Sequence, residues 1–268
     1  MSPQTDRIDE PRLNSLDLVL DARNPHPGLA EELFMAADLF GSDPALRRAV
    51  TDPGAPVEAR QQLVSRLLGG RVSEEALTVL REAAGLRWRT AGTFVSAVER
   101  QAIRAALAQA QVAGQLDQVE DELFHVNRTV AGSPELRDAL SDDRRPLVAR
   151  QDMAAGLLAG KATPVTITLV RRGVAAHQRT FANTVDGYVA LAAAQRNRAV
   201  ATVRVARPLT GVQSDRLHAA LTKQLGRPVT MHVIEDPTVL GGVSVEVGDE
   251  VIDGTVASRL DEARKLFS

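Results

Sequence analysis

Several residues in this chain could do chemistry, and each also has a plainer use. The five histidines, His26, His125, His177, His218 and His232, never stand at metal-ligand spacing from one another. Asp121 and His125 are i,i+4, so they share a helix face, but one such pair makes no metal site. Carboxylates cluster at Glu120-Asp121-Glu122 and at Asp142-Asp143. Paired acids can do acid–base work, yet near a helix start the same charge simply complements the helix dipole. Arg144-Arg145 and Arg171-Arg172 suit either an acidic partner or a solvated face. Trp88 is expected in a core or domain interface rather than as a partner anchor. Gly241-Gly242 precedes no Gly-Lys-Ser/Thr and opens no G-x-G-x-x-G helix, so it reads as a strand bulge or a close backbone approach, not a phosphate loop. No Ser/His/Asp arrangement stands out. Cysteine is absent, which excludes disulfides, thiolate zinc and Cys nucleophiles. The expectation is no catalytic site, no cofactor and no metal.

Composition sets the wider bounds. The 268 residues are 44% hydrophobic and 25% charged, enough for cores and for solubility. Aromatics are only 3%; Ala, Leu, Val and Arg dominate, which favours helices packed by aliphatic side chains. Lys plus Arg total 32 against 34 Asp plus Glu. A nucleic-acid partner would call for a basic excess, so none is expected. The start, Met1 to Asn14, lacks the basic and apolar regions of a signal peptide. No apolar run reaches the roughly 18 residues a membrane span needs. Any membrane association is expected through a partner.

The elements that would position these residues come as a duplication. At an offset of 90 residues, without gaps, positions 31–90 show 19 identities in 60 with positions 121–180. Glu32-Leu33-Phe34 matches Glu122-Leu123-Phe124, Ala59-Arg60-Gln61 matches Ala149-Arg150-Gln151, and Arg89-Thr90 matches Arg179-Thr180. Two copies are too few for an open solenoid, so each is expected to be a compact helical bundle. In the second copy Ala102, Ile103, Ala106, Leu107 and Ala110 recur at three- and four-residue steps and predict a first helix. Leu116, Val119, Leu123 and Val126 predict the next, after Gly114. Ser133-Pro134 opens a third. The fourth covers Leu147 to Leu158 before Gly160, the fifth carries Ile167, Leu169, Val170 and Val174, and the sixth covers Phe181 to Arg196. The first copy repeats these signals, from Ser42-Asp43-Pro44 to Gly69-Gly70. Its opening segment, Ser15 to Ala22, is expected to be short because of Pro25 and Pro27.

The tail differs. Ala201, Val203 and Val205 alternate within a strand. Thr210 and Gln213 sit at capping-box spacing before a helix that runs to Leu225 and stops at Gly226. Val229 to Ile234 predicts a strand. Val243, Val245 and Val247 predict another, returning over a Gly248-Asp249 turn through Val251 and Ile252. A final helix is expected over 256–267. The predicted fold class is α+β, mostly α, in three domains: 1–94 and 95–198 as tandem helical bundles, and 199–268 as a small α+β domain.

The stretch from Pro237 to Leu260 carries Gly241-Gly242, the alternating valines, Gly248-Asp249, Ile252-Asp253-Gly254 and Arg259. It resembles the C-terminal signature of the F-type ATP synthase delta subunits, a family that includes the mitochondrial oligomycin-sensitivity-conferring protein. Ser133-Pro134-Glu135-Leu136-Arg137 and the region 195–205 share the resemblance. Residues 95–268 look like a whole delta subunit, and the extra first copy is similar to the long actinobacterial form. The resemblance implies a non-catalytic stator component that links the catalytic head to the peripheral stalk, at the cytoplasmic face of the cell membrane. It implies that the second copy grips the N-terminal helix of an alpha subunit between its first and fifth helices. That groove would draw on Ile103, Ala106, Leu107 and Ala110, with Ile167, Val170 and Val174. The tail would hold b-type stalk subunits, with Leu260, Leu266 and Phe267 as anchors. Since nothing membrane-spanning precedes the repeat, a separate stalk subunit is expected. The first copy is either a second alpha-binding groove or, as its prolines favour, a brace. Two other readings compete: a helical adaptor outside the ATP synthase, and an enzyme with a small-ligand site. The first leaves the tail signature unexplained, and the second lacks a polar constellation.

Overall fold

The computed structural model describes residues 3–175, 180–237, 239, 242–247 and 250–253. Eleven helices precede the sheet region among these residues: α1 (Pro3–Asp21), α2 (Leu29–Ser42), α3 (Pro44–Thr51), α4 (Val57–Leu68), α5 (Glu74–Gly85), α6 (Ala91–Val112), α7 (Leu116–Gly132), α8 (Pro134–Ser141), α9 (Leu147–Leu158), α10 (Pro164–Ala175) and α11 (Phe181–Arg196). Shifting α1–α5 by the repeat offset lands on α6–α10, and the same shift carries the start of α6 onto α11. One helix therefore does two jobs: α6 is the sixth of the first copy and the first of the second. The described residues of 1–105 and 198–268 form one compact unit, and 106–197 form the other, so the boundary falls inside α6.

The repeat extends to side-chain chemistry. Asp43 and Ser133 cap α3 and α8 through the backbone amides of Leu46 and Leu136. Proline follows each cap at the first helical position, where its missing N–H costs nothing. Arg47 donates to Gly41 O at 2.8 Å and Arg137 to Ala131 O at 3.2 Å, so each guanidinium covers the last turn of the preceding helix. Glu32 Oε2 accepts from Ser73 N at 3.0 Å, and Glu122 Oε2 from Thr163 N at 2.9 Å. Each carboxylate thereby ties the second helix of its copy to the start of the fifth. Gly70 and Gly160 follow the fourth helices at φ +72 and +70, a backbone state that a Cβ resists.

Within the first unit, Leu16, Leu20, Leu33, Phe40, Val64, Leu80 and Phe94 are fully or nearly fully buried. Phe40 and Phe94 meet edge to face at 5.3 Å, with Trp88 at 6.3 Å from Phe94. Trp88 is half-buried, and its Nε1 donates to Ala83 O at 2.7 Å. The opening helix corrects a sequence expectation. Rather than a short segment from Ser15, α1 runs from Pro3 through an internal Pro11. Pro11 lies on the exposed side, where water can satisfy the carbonyl that loses its helical donor. Pro25 and Pro27 shape the link to α2 instead.

The tail forms β1 (Ala199–Val205), α12 (Gly211–Leu225), β2 (Val229–Glu235), β3 (Val243–Val247) and β4 (Glu250–Asp253). Strand order is β2-β1-β3-β4. β1 and β2 are parallel, from Ala199↔Val229 to Val205↔Glu235, as a crossover helix between them requires. β3 runs antiparallel to both β1 and β4. The predicted capping box is present in full at Thr210 and Gln213, and Gly226 ends α12 at φ +65. Ala201, Val203, Val205, Leu221, Met231 and Val245 fill the core beneath the sheet. Val247 pairs with Glu250, the register a two-residue hairpin demands. The helix expected over 256–267 lies outside the described residues.

Candidate functional site

Of the clustered carboxylates, Glu122, Asp142 and Asp143 hold structure. Glu122 accepts from both Thr163 N and Thr163 Oγ1 at 2.9 Å. Burial pushes its carboxyl up, but the hydrogen bonds from Thr166 and Thr163 outweigh this and hold it below the ordinary value. Asp142 accepts from Arg144 Nε at 2.8 Å, and that bond is the main cause of its lowered pKa. Asp143 lies 3.3 Å from Arg150. His125 gives its Nδ1 to the Asp121 backbone carbonyl at 2.7 Å, one turn back, rather than to the Asp121 side chain. His218 is buried against Val229 O at 3.1 Å. Arg171 pairs with Asp152 at 2.8 Å. Among the described residues no three His, Asp or Glu side chains gather as a metal cluster. His177 lies outside the described residues.

The apolar residues expected to line a partner groove are, for the most part, inside the chain. Ala106, Leu107 and Ala110 of α6 and Val170 and Val174 of α10 are buried in the second unit, with Leu107 at 0% exposure. Ile103 is buried in the first unit. Ile167 is half-buried on α10.

A feature that sequence reasoning missed sits on the same unit. Helices α7 to α11 surround an apolar cleft of about 350 Å³, walled by Val126, Val130, Leu140, Leu157, Val170 and Phe181. Leu157 is 51% exposed, and Phe124 on α7 is 48% exposed beneath the Arg128 guanidinium at 5.8 Å. The signal was present in the repeat. Val130 aligns with Phe40, whose ring is fully buried in the first copy. An aromatic ring fills at one site what an isopropyl group leaves open at the other.

In the tail, Gly242 has φ +98 and leads directly into β3, so this glycine opens a strand and not a phosphate-binding helix. Ile252 and Asp253 belong to β4. Gly241, Gly248, Asp249, Gly254, Arg259, Leu260, Leu266 and Phe267 lie outside the described residues. No described helix is long and apolar enough to cross a membrane.

Comparison with known proteins bears on both the second copy and the tail. The family described as ATP synthase delta (OSCP) subunit matches residues 101–267. An ATP synthase subunit delta from Nocardioides sp. is 46% identical over 242 residues, covering 90% of this chain and 87% of the relative. That of Kineococcus radiotolerans is 42% identical over 255 residues, 94% of this chain and 92% of the relative. That of Cutibacterium acnes is 39% identical over 250 residues, 93% and 95%. Matches of this length necessarily extend into the first helical copy.

Proposed function

The chain belongs to the ATP synthase delta (OSCP) subunit family, and from that membership we propose that it does no chemistry itself and acts as a passive strut of the stator. The rotor of a rotary ATP synthase drags on the catalytic head, so the head must be tied to the stalk by contacts that dissociate slowly under load. The observation that carries this reading is the match to subunits delta along nearly their whole length. Glu122 holds the start of α10, Asp142 pairs with Arg144 and His125 bonds a backbone carbonyl, structural uses that agree with it.

In this reading the tandem helical domains are 1–94 and 95–198, and 199–268 is the stalk-binding domain. The second copy grips the amphipathic N-terminal helix of an alpha subunit, with half-buried Ile167 as the accessible anchor on α10. Leu107, Ala110, Val170 and Val174 form the packed floor that keeps such a groove in shape. The tail, with Leu260, Leu266 and Phe267, holds b-type stalk subunits. The protein works at the cytoplasmic face of the cell membrane and meets the membrane through its partners.

Tagged chain purified from detergent-solubilised membranes is expected to bring alpha, beta and b-type subunits in near-stoichiometric amounts. Recovery of the chain free of all three would defeat the stator reading. Titration with the alpha N-terminal peptide is expected to saturate at one peptide per chain, with binding weakened in Ile167→Asp. Two peptides per chain would instead make the first copy a second grip.

A further inference from the structure

We infer that residues 17–24 of the first helical copy form a clasp that seats the C-terminal sheet, so that the extra copy and the tail move as one body. All the groups involved lie in one compact unit. Asp21 is 8% exposed and receives Arg104 of α6 at 2.7 Å on one oxygen and Arg198, the residue before β1, on the other. Asp17 takes Arg104 at 2.9 Å and also Arg100 and Gln101. Immediately after α1, Ser214 of α12 donates its hydroxyl to Ala22 O, and Arg23 meets Asp215 at 3.0 Å. Asn24 completes the set. Its Nδ2 donates to Val233 O at 3.2 Å, and its Oδ1 accepts from Val233 N at 3.3 Å. Val233 lies on β2, an edge strand of the sheet. One carboxamide thus supplies both hydrogen bonds that a neighbouring strand would make there, and covers an edge that would otherwise offer itself for pairing.

The second copy lacks this equipment. At the repeat offset Asp17, Asp21, Arg23 and Asn24 correspond to Leu107, Gln111, Ala113 and Gly114, and Arg100 and Arg104 to Ala190 and Ala194. The seam that is ionic in the first copy is therefore largely aliphatic in the second. Helical packing does not require buried charge at these positions, since the second copy manages without it. What this segment adds is a set of partners on the tail: Arg198 and Asp215 through its charges, Ser214 through the Ala22 carbonyl and Val233 through the Asn24 carboxamide. The clasp is a property of the chain by itself. Its mechanical consequence, that load taken up by the tail passes directly into the first copy, rests on the stator reading.

Amide hydrogen exchange on the full-length chain tests it. Asn24→Ala is expected to speed exchange across 229–235 about tenfold, since two hydrogen bonds that resist local opening are removed. Ser214→Ala should do the same around 199–205 and the start of α12. In both variants exchange across 147–158, in the other unit, and the helical circular dichroism should stay at wild-type values. Unchanged exchange in the tail of both variants would overturn the clasp. So would acceleration spread equally to 147–158 or loss of the helical signal, because either assigns these residues to general folding. Recovery of the alpha and b-type subunits on the same variants is read separately, so the clasp and the stator reading can fail independently.

Discussion

Asp21 shows how much hangs on a single carboxylate. Removing it leaves the guanidinium of Arg104, 4% exposed, without one of its two carboxylate partners, and takes a carboxylate partner from Arg198. Asp21→Ala is expected to cost about 3–5 kcal/mol by urea denaturation, the usual loss when one member of a buried pair is deleted. Asp17 titrates in a way that can be measured. Burial pushes its carboxyl up, but the Arg100 hydrogen bond and the charges of Arg104 and Arg100 outweigh this and hold the folded pKa below 3.8. A depressed folded value means that the group stabilises the protein fully above its unfolded pKa. That contribution disappears as the pH falls from about 4 towards the folded value. Denaturation midpoints measured from pH 6 down to pH 2 should fall less steeply in Asp17→Asn than in the wild type. An identical slope would show that Asp17 carries no such linkage.

At the scale of elements, the duplication supplies its own controls. Glu122→Ala unties the start of α10 by removing two 2.9 Å hydrogen bonds, at an expected cost of about 1–2 kcal/mol. Glu32→Ala should cost about the same, because Glu32 holds Ser73 in the matching place. A large effect in one copy with none in the other would show that the copies share a fold but not its energetics. The cleft among α7–α11 gives the opposite test. Val130→Phe places there the ring that Phe40 supplies in the first copy. It is expected to raise stability by about 1 kcal/mol by filling space that the first copy already fills. A lowered melting midpoint would mean that Phe181, which stands where the first copy has Ala91, already takes up the room.

The proposed stator role belongs to the whole molecule and not to any single side chain. A strut fails by letting go, so its failure should appear in coupling and not in turnover. Membranes lacking this chain are expected to leak protons through the synthase while the detached head still hydrolyses ATP, measured as ATPase activity beside proton pumping. Loss of hydrolysis from the head itself would place the chain in catalysis and contradict the proposed role. The two-unit division adds that the tail belongs with the first copy, although the second copy lies between them in sequence.

Much of this was legible in the residues themselves. Gap-free spacing of caps, prolines and glycines marked the starts of α3 and α8 and the ends of α4 and α9, because capping is local chemistry and needs no tertiary partner. Alternating valines and a capping box drew the tail for the same reason. Pro11 inside α1 was not legible, because a proline is tolerated only where its face is exposed, and exposure is a property of packing. The cleft at Val130 required seeing which walls surround that position. Asp21 and Asn24 read as ordinary polar residues near a helix end until the chain returns, more than 170 residues later, with Arg198 and Val233. Sequence determined the family and most of the elements after α1, since those rest on local propensity and on a contiguous motif. Tertiary structure alone decided which copy seats the sheet, since that depends on charges brought together only by folding.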